Sequence, residues 1–254
     1  MRSRKISCFV ICCNEEDRIE ACLQSLAGWV DQLIVVDSGS KDNSVAIAER
    51  YADKVYQTDW PGFGPQKNRA LDLATGDWVL SLDADERLTP DLRSEIATVL
   101  ANPGNATCFA IPRLSWFCGR FIRHSGWNPD YVDRLFQRST ARFSNDLVHE
   151  RLIPSGSVVK LKNHMLHYSF MNLAQVQEKM ERYSTASAQQ AFLRGKTASP
   201  LKAILHGAWS FFRTYILRAG FLDGPQGFSL ALANAKGSYL RYIKLWRLIK
   251  KSKE

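Results

Sequence analysis

The chain has 254 residues, 45% of them hydrophobic, and a formal net charge of +9. That length fits one large domain, or a domain with an extension, and the composition can bury a sizeable core. No window of about 18 apolar residues is free of charge, which excludes a spanning helix, and the six cysteines lack the paired spacing of a zinc site, which predicts buried, reduced thiols.

The charge is unevenly placed. Up to Met165 there are 20 Lys and Arg against 21 Asp and Glu; from Leu166 onward there are 14 against 4. A nearly neutral body with a basic tail implies a docking surface for anionic lipid or another polyanion. The opening Met1-Arg2-Ser3-Arg4-Lys5 is basic, but acids arrive by Glu15, unlike a secretory leader.

Ile6 to Cys12 is a short apolar run ending in Cys13-Asn14-Glu15-Glu16, read as a strand and a polar turn. Ile19, Cys22, Leu23 and Leu26 follow at helical spacing. Gln32 to Asp37 is a second buried strand that ends in an acid, followed by the turn Ser38-Gly39-Ser40-Lys41-Asp42-Asn43-Ser44. A helix through Val45, Ala48 and Tyr51, a strand over Lys54 to Gln57, a Pro61-Gly62-Phe63-Gly64-Pro65 loop and a helix over Gln66 to Ala74 come next. Alternating strands and helices predict a doubly wound, mostly parallel α/β sheet with right-handed crossovers. No G-x-G-x-x-G follows the first strand, which argues against a dinucleotide fold.

Trp78-Val79-Leu80-Ser81-Leu82-Asp83-Ala84-Asp85-Glu86 is the centre of this pattern. It reads as a buried strand ending abruptly in acids. Asp83 and Asp85 project to one side at the strand's C-terminal end, where open α/β sheets place ligands. Two crowded carboxylates are tolerated when a cation sits with them, and hard oxygen ligands suit Mg²⁺ or Mn²⁺. The competing reading is a solvated acidic turn before the helix near Pro90.

Beyond Pro103, strands are expected over Cys108 to Pro112, Val132 to Gln137 and Asp146 to Leu152. A helical region begins at Asn172 and has an N-cap at Ser199-Pro200. Leu201, Ile204, Leu205, Ala208, Phe212, Tyr215 and Ile216 keep helical spacing. After a glycine-rich break over Gly220 to Gly227, a final helix carries Tyr242, Leu245, Trp246 and Ile249 on one face and Arg241, Lys244, Arg247, Lys250 and Lys251 on the other.

Three acid-bearing strand ends, Asn14-Glu15, Asp37 and Asp83/Asp85, can converge on one crevice. Together with Gln66-Lys67-Asn68-Arg69-Ala70-Leu71, their order and spacing resemble family 2 glycosyltransferases with the GT-A fold over about the first hundred residues. Val148-His149-Glu150 and Gly220-Phe221-Leu222-Asp223-Gly224 are similar, more narrowly, to the bacterial lipopolysaccharide core glycosyltransferases of the WaaE/KdtX group. Cys12-Cys13 departs from the Pro or Thr more usual in the family before the Asn.

The resemblance implies an inverting transfer from a nucleotide-diphosphate sugar with Mg²⁺ or Mn²⁺. Asp85 would carry the metal and Asp83 would assist it or hold the ribose. Asn14, Glu15 and Asp37 would bind the nucleotide, Asp37 through the uracil and ribose; the competing reading of Asp37 is an N-cap or turn-stabilising acid. Lys67 and Arg69 would contact phosphates, or lie on a solvated helix face. An inverting displacement needs a general base, for which Glu150 is the first choice over Asp146, Asp130 and Asp133. His149 would complete the metal site or orient Glu150. Trp116, Trp127 and Arg134, with Arg113, Arg120 and Arg123, would contact the acceptor.

The expected organisation is a catalytic domain over 1–168, with a nucleotide-sugar half over 1–100 and an acceptor half over 101–168, and a basic amphipathic helical extension over 169–254. The expected activity moves a hexose, glucose from UDP-glucose, onto an inner-core sugar of lipopolysaccharide. The enzyme is expected in the cytoplasm, peripheral on the inner face of the membrane, with the last helix lying in the leaflet; that helix could instead pack its stripe on the body. A rival acceptor is a polyprenyl phosphate or another surface glycan. A rival of another class is a non-catalytic nucleic-acid-binding protein, supported by the basic tail alone and by no binding motif.

Overall fold

The computed structural model describes residues 4–146 and 150–252. The chain divides into two compact units, Met1–Arg113 with Asp130–His167, and Leu114–Pro129 with Tyr168–Glu254. Residues 114–129, expected in the acceptor half, therefore group with the C-terminal helices, and Trp116 and Trp127 go with them. The first unit holds 18 Lys and Arg against 21 Asp and Glu, a net −3; the second holds 16 against 4, a net +12.

The first unit begins with β1 (Ile6–Cys12), α1 (Glu16–Gln24), β2 (Gln32–Asp37), α2 (Ser44–Ala48), β3 (Lys54–Gln57), α3 (Phe63–Leu73) and β4 (Trp78–Asp83). β1 is buried along its whole length and β4 up to its final acid, as strands covered on both faces must be. These strands lie in the order β3-β2-β1-β4, all parallel. The order reverses between β1 and β4, and the crevice beyond their C-terminal ends is where such sheets bind ligands.

The remaining strands are mostly antiparallel. They are β5 (Glu86–Leu88), then after α4 (Pro90–Ala101) β6 (Ala106–Phe117), β7 (Arg120–Phe121), β8 (Asp130–Gln137), β9 (Ala141–Phe143), β10 (Leu152–Pro154), β11 (Ser157–Lys160) and β12 (Met165–Phe170). β8 runs antiparallel to both β4 and β6, which brings Arg134 beside the end of β4. β12 pairs with β5 so that His167 stands opposite Glu86. Of the strand expected over 146–152, residues 147–149 lie outside the described residues; Asp146, Glu150 and Arg151 pair in no ladder, and β10 starts at Leu152. Backbone contacts fix the end of the described segment at Asp146. Gly64 N–H donates to the Asp146 carbonyl at 3.2 Å, and a Cβ on Gly64 would lie 1.9 Å from the Ser144 carbonyl oxygen, so only glycine fits there.

In the second unit, Asn172 caps α5 (Leu173–Leu193) by accepting from Gln175 N–H, and Ser199 caps α6 (Pro200–Phe212) by accepting from Lys202 N–H. A π-helical turn (Arg213–Leu217) and a 3₁₀ turn (Gly220–Asp223) lead into α7 (Gly224–Lys251). Asp223 is buried and clamps this turn: the N–H groups of Arg123 and His124 and the Ser125 hydroxyl donate to it at 2.9–3.0 Å.

The α7 stripe expected to face lipid is packed instead. Leu245 is buried against Ala188 and Ala191 of α5, with Ile249 beside them. The Tyr242 ring stacks on His206 of α6 at 4.0 Å. Lys244 Nζ donates to Glu181 Oε1 at 2.6 Å and to the Ser184 and Thr185 hydroxyls, so it is not a free cation either. Among the described residues, no helix is long and apolar enough to cross a membrane.

Candidate active site

A cavity of about 450 Å³ opens at the reversal point between β1 and β4. Cys12, Cys13 and Glu15 line it from the end of β1, Asp83 and Asp85 from the end of β4, and His167 from β12. Trp60 and Phe63 stand at its wall as an exposed edge-to-face pair with ring centroids 4.7 Å apart. Cys13 is exposed, because the chain leaves the sheet at Cys12; Cys8, Cys12, Cys22 and Cys108 are buried thiols, as expected.

The ends of β1 and β2 are tied to each other before any ligand arrives. Asn14 adopts the left-handed conformation (φ 54°), which Asn tolerates better than most residues. Its N–H donates to Ser40 Oγ at 2.8 Å, and its Oδ1 accepts from Lys41 N–H at 2.8 Å. Glu15 N–H donates to Ser44 Oγ at 2.7 Å. Asp37 accepts from Gly39 and Ser40 N–H, both at 2.9 Å, and from the Ser40 hydroxyl. It is fully buried, so in this structure it shapes the turn and offers no surface to a uracil or ribose. Burial raises the Glu15 carboxyl pKa; Arg18 opposes this and the acids Asp85, Asp42 and Asp83 add to it.

Behind the cavity, seven ionised side chains alternate in sign: Glu150, Lys67, Asp83, Arg134, Glu86, Arg113 and Asp130. Lys67 Nζ lies 2.7 Å from Glu150 and 3.0 Å from Asp83. Arg134 pairs with Asp83 and lies 2.7 Å from Glu86; Arg113 lies 3.5 Å from Glu86 and 2.6 Å from Asp130. Burial alone would raise the Asp83 pKa, but the charges and hydrogen bonds of Arg134 and Lys67 outweigh it and hold the carboxyl well below the usual range. Both Asp83 oxygens are engaged this way. Lys67 and Arg134 are buried within the ladder, so Lys67 is neither on a solvated face nor a free phosphate ligand, and Arg134 is not an open acceptor contact. The helical period of α3 separates Lys67 from Arg69, which pairs with Asp59 at 3.0 Å.

Asp85 also faces the cavity, and its contacts to cationic groups are long. Its Oδ2 is 3.8 Å from Arg18 and 3.4 Å from His167 Nε2. His167 carries no linear signal of a site residue; the β12–β5 pairing brings it there. His149 lies outside the described residues. No group of three or more His, Cys, Asp or Glu with metal-binding geometry occurs among the described residues. A hard cation that takes one or two protein ligands and completes its shell with phosphate oxygens and water does not require one. The Asp85 carboxylate, with His167 beside it, fits such an ion.

Two of the other candidate bases are engaged in side-chain pairs. Asp130 holds Arg113, and Asp146 accepts from Ser144 Oγ at 2.8 Å. Burial raises the Asp133 pKa. Within the second unit, Trp116 packs edge-on against Phe121 at 4.9 Å. Trp127 packs edge-on against Phe117 and lines a cavity of about 430 Å³ with Lys179, Arg213 and Arg241.

Residues 7–155 match the family described as Glycosyl transferase family 2. An uncharacterized glycosyltransferase of Rickettsia felis is 31% identical over 98% of this chain and 92% of its own. The lipopolysaccharide core biosynthesis glycosyltransferase LpsC of Rhizobium meliloti is 29% identical over 95% of this chain and 92% of its own. Among solved structures, the glucosyl-3-phosphoglycerate synthase of Mycobacterium tuberculosis, in complex with Mn²⁺, UDP and glucosyl-3-phosphoglycerate, is 28% identical. That likeness covers 45% of this chain and 44% of the synthase, with a TM-score of 0.37. The chain belongs to glycosyl transferase family 2.

Proposed function

We propose that the protein is an inverting, metal-assisted hexosyltransferase that moves glucose from UDP-glucose onto an inner-core sugar of lipopolysaccharide at the cytoplasmic face of the membrane. The observation that carries this reading is the cavity at the β1–β4 reversal, where Asp85 and His167 converge next to a carboxylate ladder ending in Glu150. The similarity to LpsC over nearly the whole chain supports the acceptor class.

Asn14 and Glu15 border the nucleotide, and Asp37 fixes the turn against which it lies. The Trp60–Phe63 pair offers an aromatic face to the base or sugar. Asp85 and His167 would hold a divalent ion, which supplies charge neutralisation for the departing diphosphate. The acceptor hydroxyl attacks the anomeric carbon from the side opposite the diphosphate, and its proton passes to Glu150. Lys67 holds the Glu150 Oε1 at 2.7 Å, which would fix the carboxylate's orientation. Asp83 is a positioning residue, fixing Lys67 through its ion pair.

The test is calorimetric titration of UDP with and without Mn²⁺ or Mg²⁺, for wild type and Asp85→Ala, beside a screen of nucleotide-sugar hydrolysis. Metal should strengthen UDP binding in wild type and not in the mutant, and transfer should fall by about a hundredfold or more. Equal metal enhancement in both proteins would remove Asp85 from the metal site.

A further inference from the structure

The α6 helix is built with its large residues outward. At 100° per residue Leu201, Ile204, Leu205, Trp209 and Phe212 form one stripe, which Ile216 in the following π-helical turn continues, and all six are between 44% and 66% exposed. The opposite face, Ala203, Gly207, Ser210 and Thr214, is buried. It packs on α7: a Cβ on Gly207 would meet the Ala235 carbonyl oxygen and Tyr239 Cβ at 3.3 Å. A helix of a water-exposed surface has the reverse arrangement, with its large apolar stripe in the core. Small residues against a neighbouring helix and large apolar ones outside is how helices pack when their outer face meets lipid. The exposure continues through Leu217, Phe221 and Leu222 in the turns leading to α7.

Charge names the occupant. Between Arg182 and Lys253 the sequence holds a single acid, Asp223, and that acid is buried and hydrogen-bonded within its turn. The apolar stripe is bordered instead by exposed Lys202, Arg213 and Arg218. An apolar surface framed only by cations matches an anionic bilayer: the rings and aliphatic chains enter the headgroup boundary and the cations meet phosphates.

We propose that the α6 stripe, not the apolar face of the terminal helix, seats the protein on anionic phospholipid. This extends the reading of a membrane-linked acceptor to a definite surface, and it rests on residues outside the candidate active site. The experiment is co-sedimentation of the full chain with phosphatidylethanolamine–phosphatidylglycerol vesicles and with phosphatidylcholine vesicles, at low and high salt, for wild type and for Trp209→Ser/Phe212→Ser. Light scattering without lipid and sugar-nucleotide hydrolysis in solution are recorded for both.

Wild type should bind the anionic vesicles, more weakly in high salt and on phosphatidylcholine. The double variant should lose about tenfold or more of its partitioning, from apolar burial alone, while staying folded and hydrolysing donor at the wild-type rate. Lys202→Glu/Arg213→Glu, which keeps the stripe, should lose the difference between the two vesicle types. The proposal is overturned if wild type stays in solution or the stripe variant binds like wild type. It is also overturned if wild type is a dimer without lipid that the substitutions dissolve, since a second copy then covers the stripe. Loss of hydrolysis with vesicle binding intact would count against the transferase reading and leave the docking surface standing.

Discussion

The two units solve opposite problems. The first, net −3, takes charge inward: seven charged groups run in alternation behind its cavity, and its main apolar core lies within the sheet and its covering helices. The second, net +12, leaves its cations outside and turns the α6 stripe to the surface, packing through small residues. In the first unit the costly groups, desolvated charges, are kept where they can set geometry for chemistry, since a buried ion network contributes little net stability by itself. In the second the costly groups are apolar side chains in water, which persist where something else is to cover them. On the proposed readings, unusual placement serves the site in one unit and the docking surface in the other, with opposite signs of polarity.

The sharpest way to break this comparison is at the end of the ladder. Glu150→Gln keeps the shape of the side chain and removes its capacity to take a proton. Turnover should drop by about 10²–10⁴-fold, with UDP affinity in the presence of metal unchanged and vesicle binding untouched. Near-normal turnover would make the ladder purely architectural and pass the role of base to Asp146, Asp130 or Asp133.

Next in size is the ladder's middle. Lys67 is buried between Asp83 and Glu150, and Lys67→Met leaves Glu150 without its cation and Asp83 with Arg134 alone. Breaking such a pair from one side typically costs about 3 kcal/mol or more. The midpoint of urea unfolding should fall accordingly, and Lys67→Arg should recover part of it. If Lys67→Met unfolds at the wild-type denaturant concentration, the pairs contribute only through position and the first unit is less dependent on its buried charge than the geometry implies.

These residues also show what the linear sequence carries. β1, β2 and β4 were legible because strands buried on both faces are continuous apolar runs, and their acidic ends named the crevice. Lys67 was not: on a helix its spacing fits a solvated face equally well, and only the fold brings Asp83 and Glu150 to it. His167 was missed because its partner Asp85 is 82 positions away in sequence and meets it through strand pairing. Leu147, Val148 and Leu152 give the segment around Glu150 a strand-like look in the sequence, whereas Glu150 itself pairs in no ladder and Gly64 approaches the backbone of Ser144 and Asp146 closely. In the helical unit, periodicity correctly showed two apolar stripes and was silent on which one is buried. The small residues Ala203, Gly207, Ser210 and Thr214 were the available signal, because a helix packs closely through whichever face lets backbones approach.

The smallest expected effect separates those two stripes. Leu205 of α6 and Leu245 of α7 are the same side chain on helices of the same unit, one 61% exposed and the other 2%. Leu245→Ser removes a leucine packed on Ala188 and Ala191 and places a hydroxyl there, so it should destabilise the protein by about 2–5 kcal/mol, the cost of a large-to-small core substitution. Leu205→Ser replaces an apolar side chain already in water, and its unfolding midpoint should stay within about 0.5 kcal/mol of wild type. Measured in vesicle-free buffer, the pair gives a ratio that depends only on what covers each residue in the free protein. A Leu205→Ser cost matching that of Leu245→Ser would mean that the α6 stripe is covered before any membrane is present. The contrast between a unit that hides charge and a unit that shows apolar surface would then lose α6, the helix that carries it.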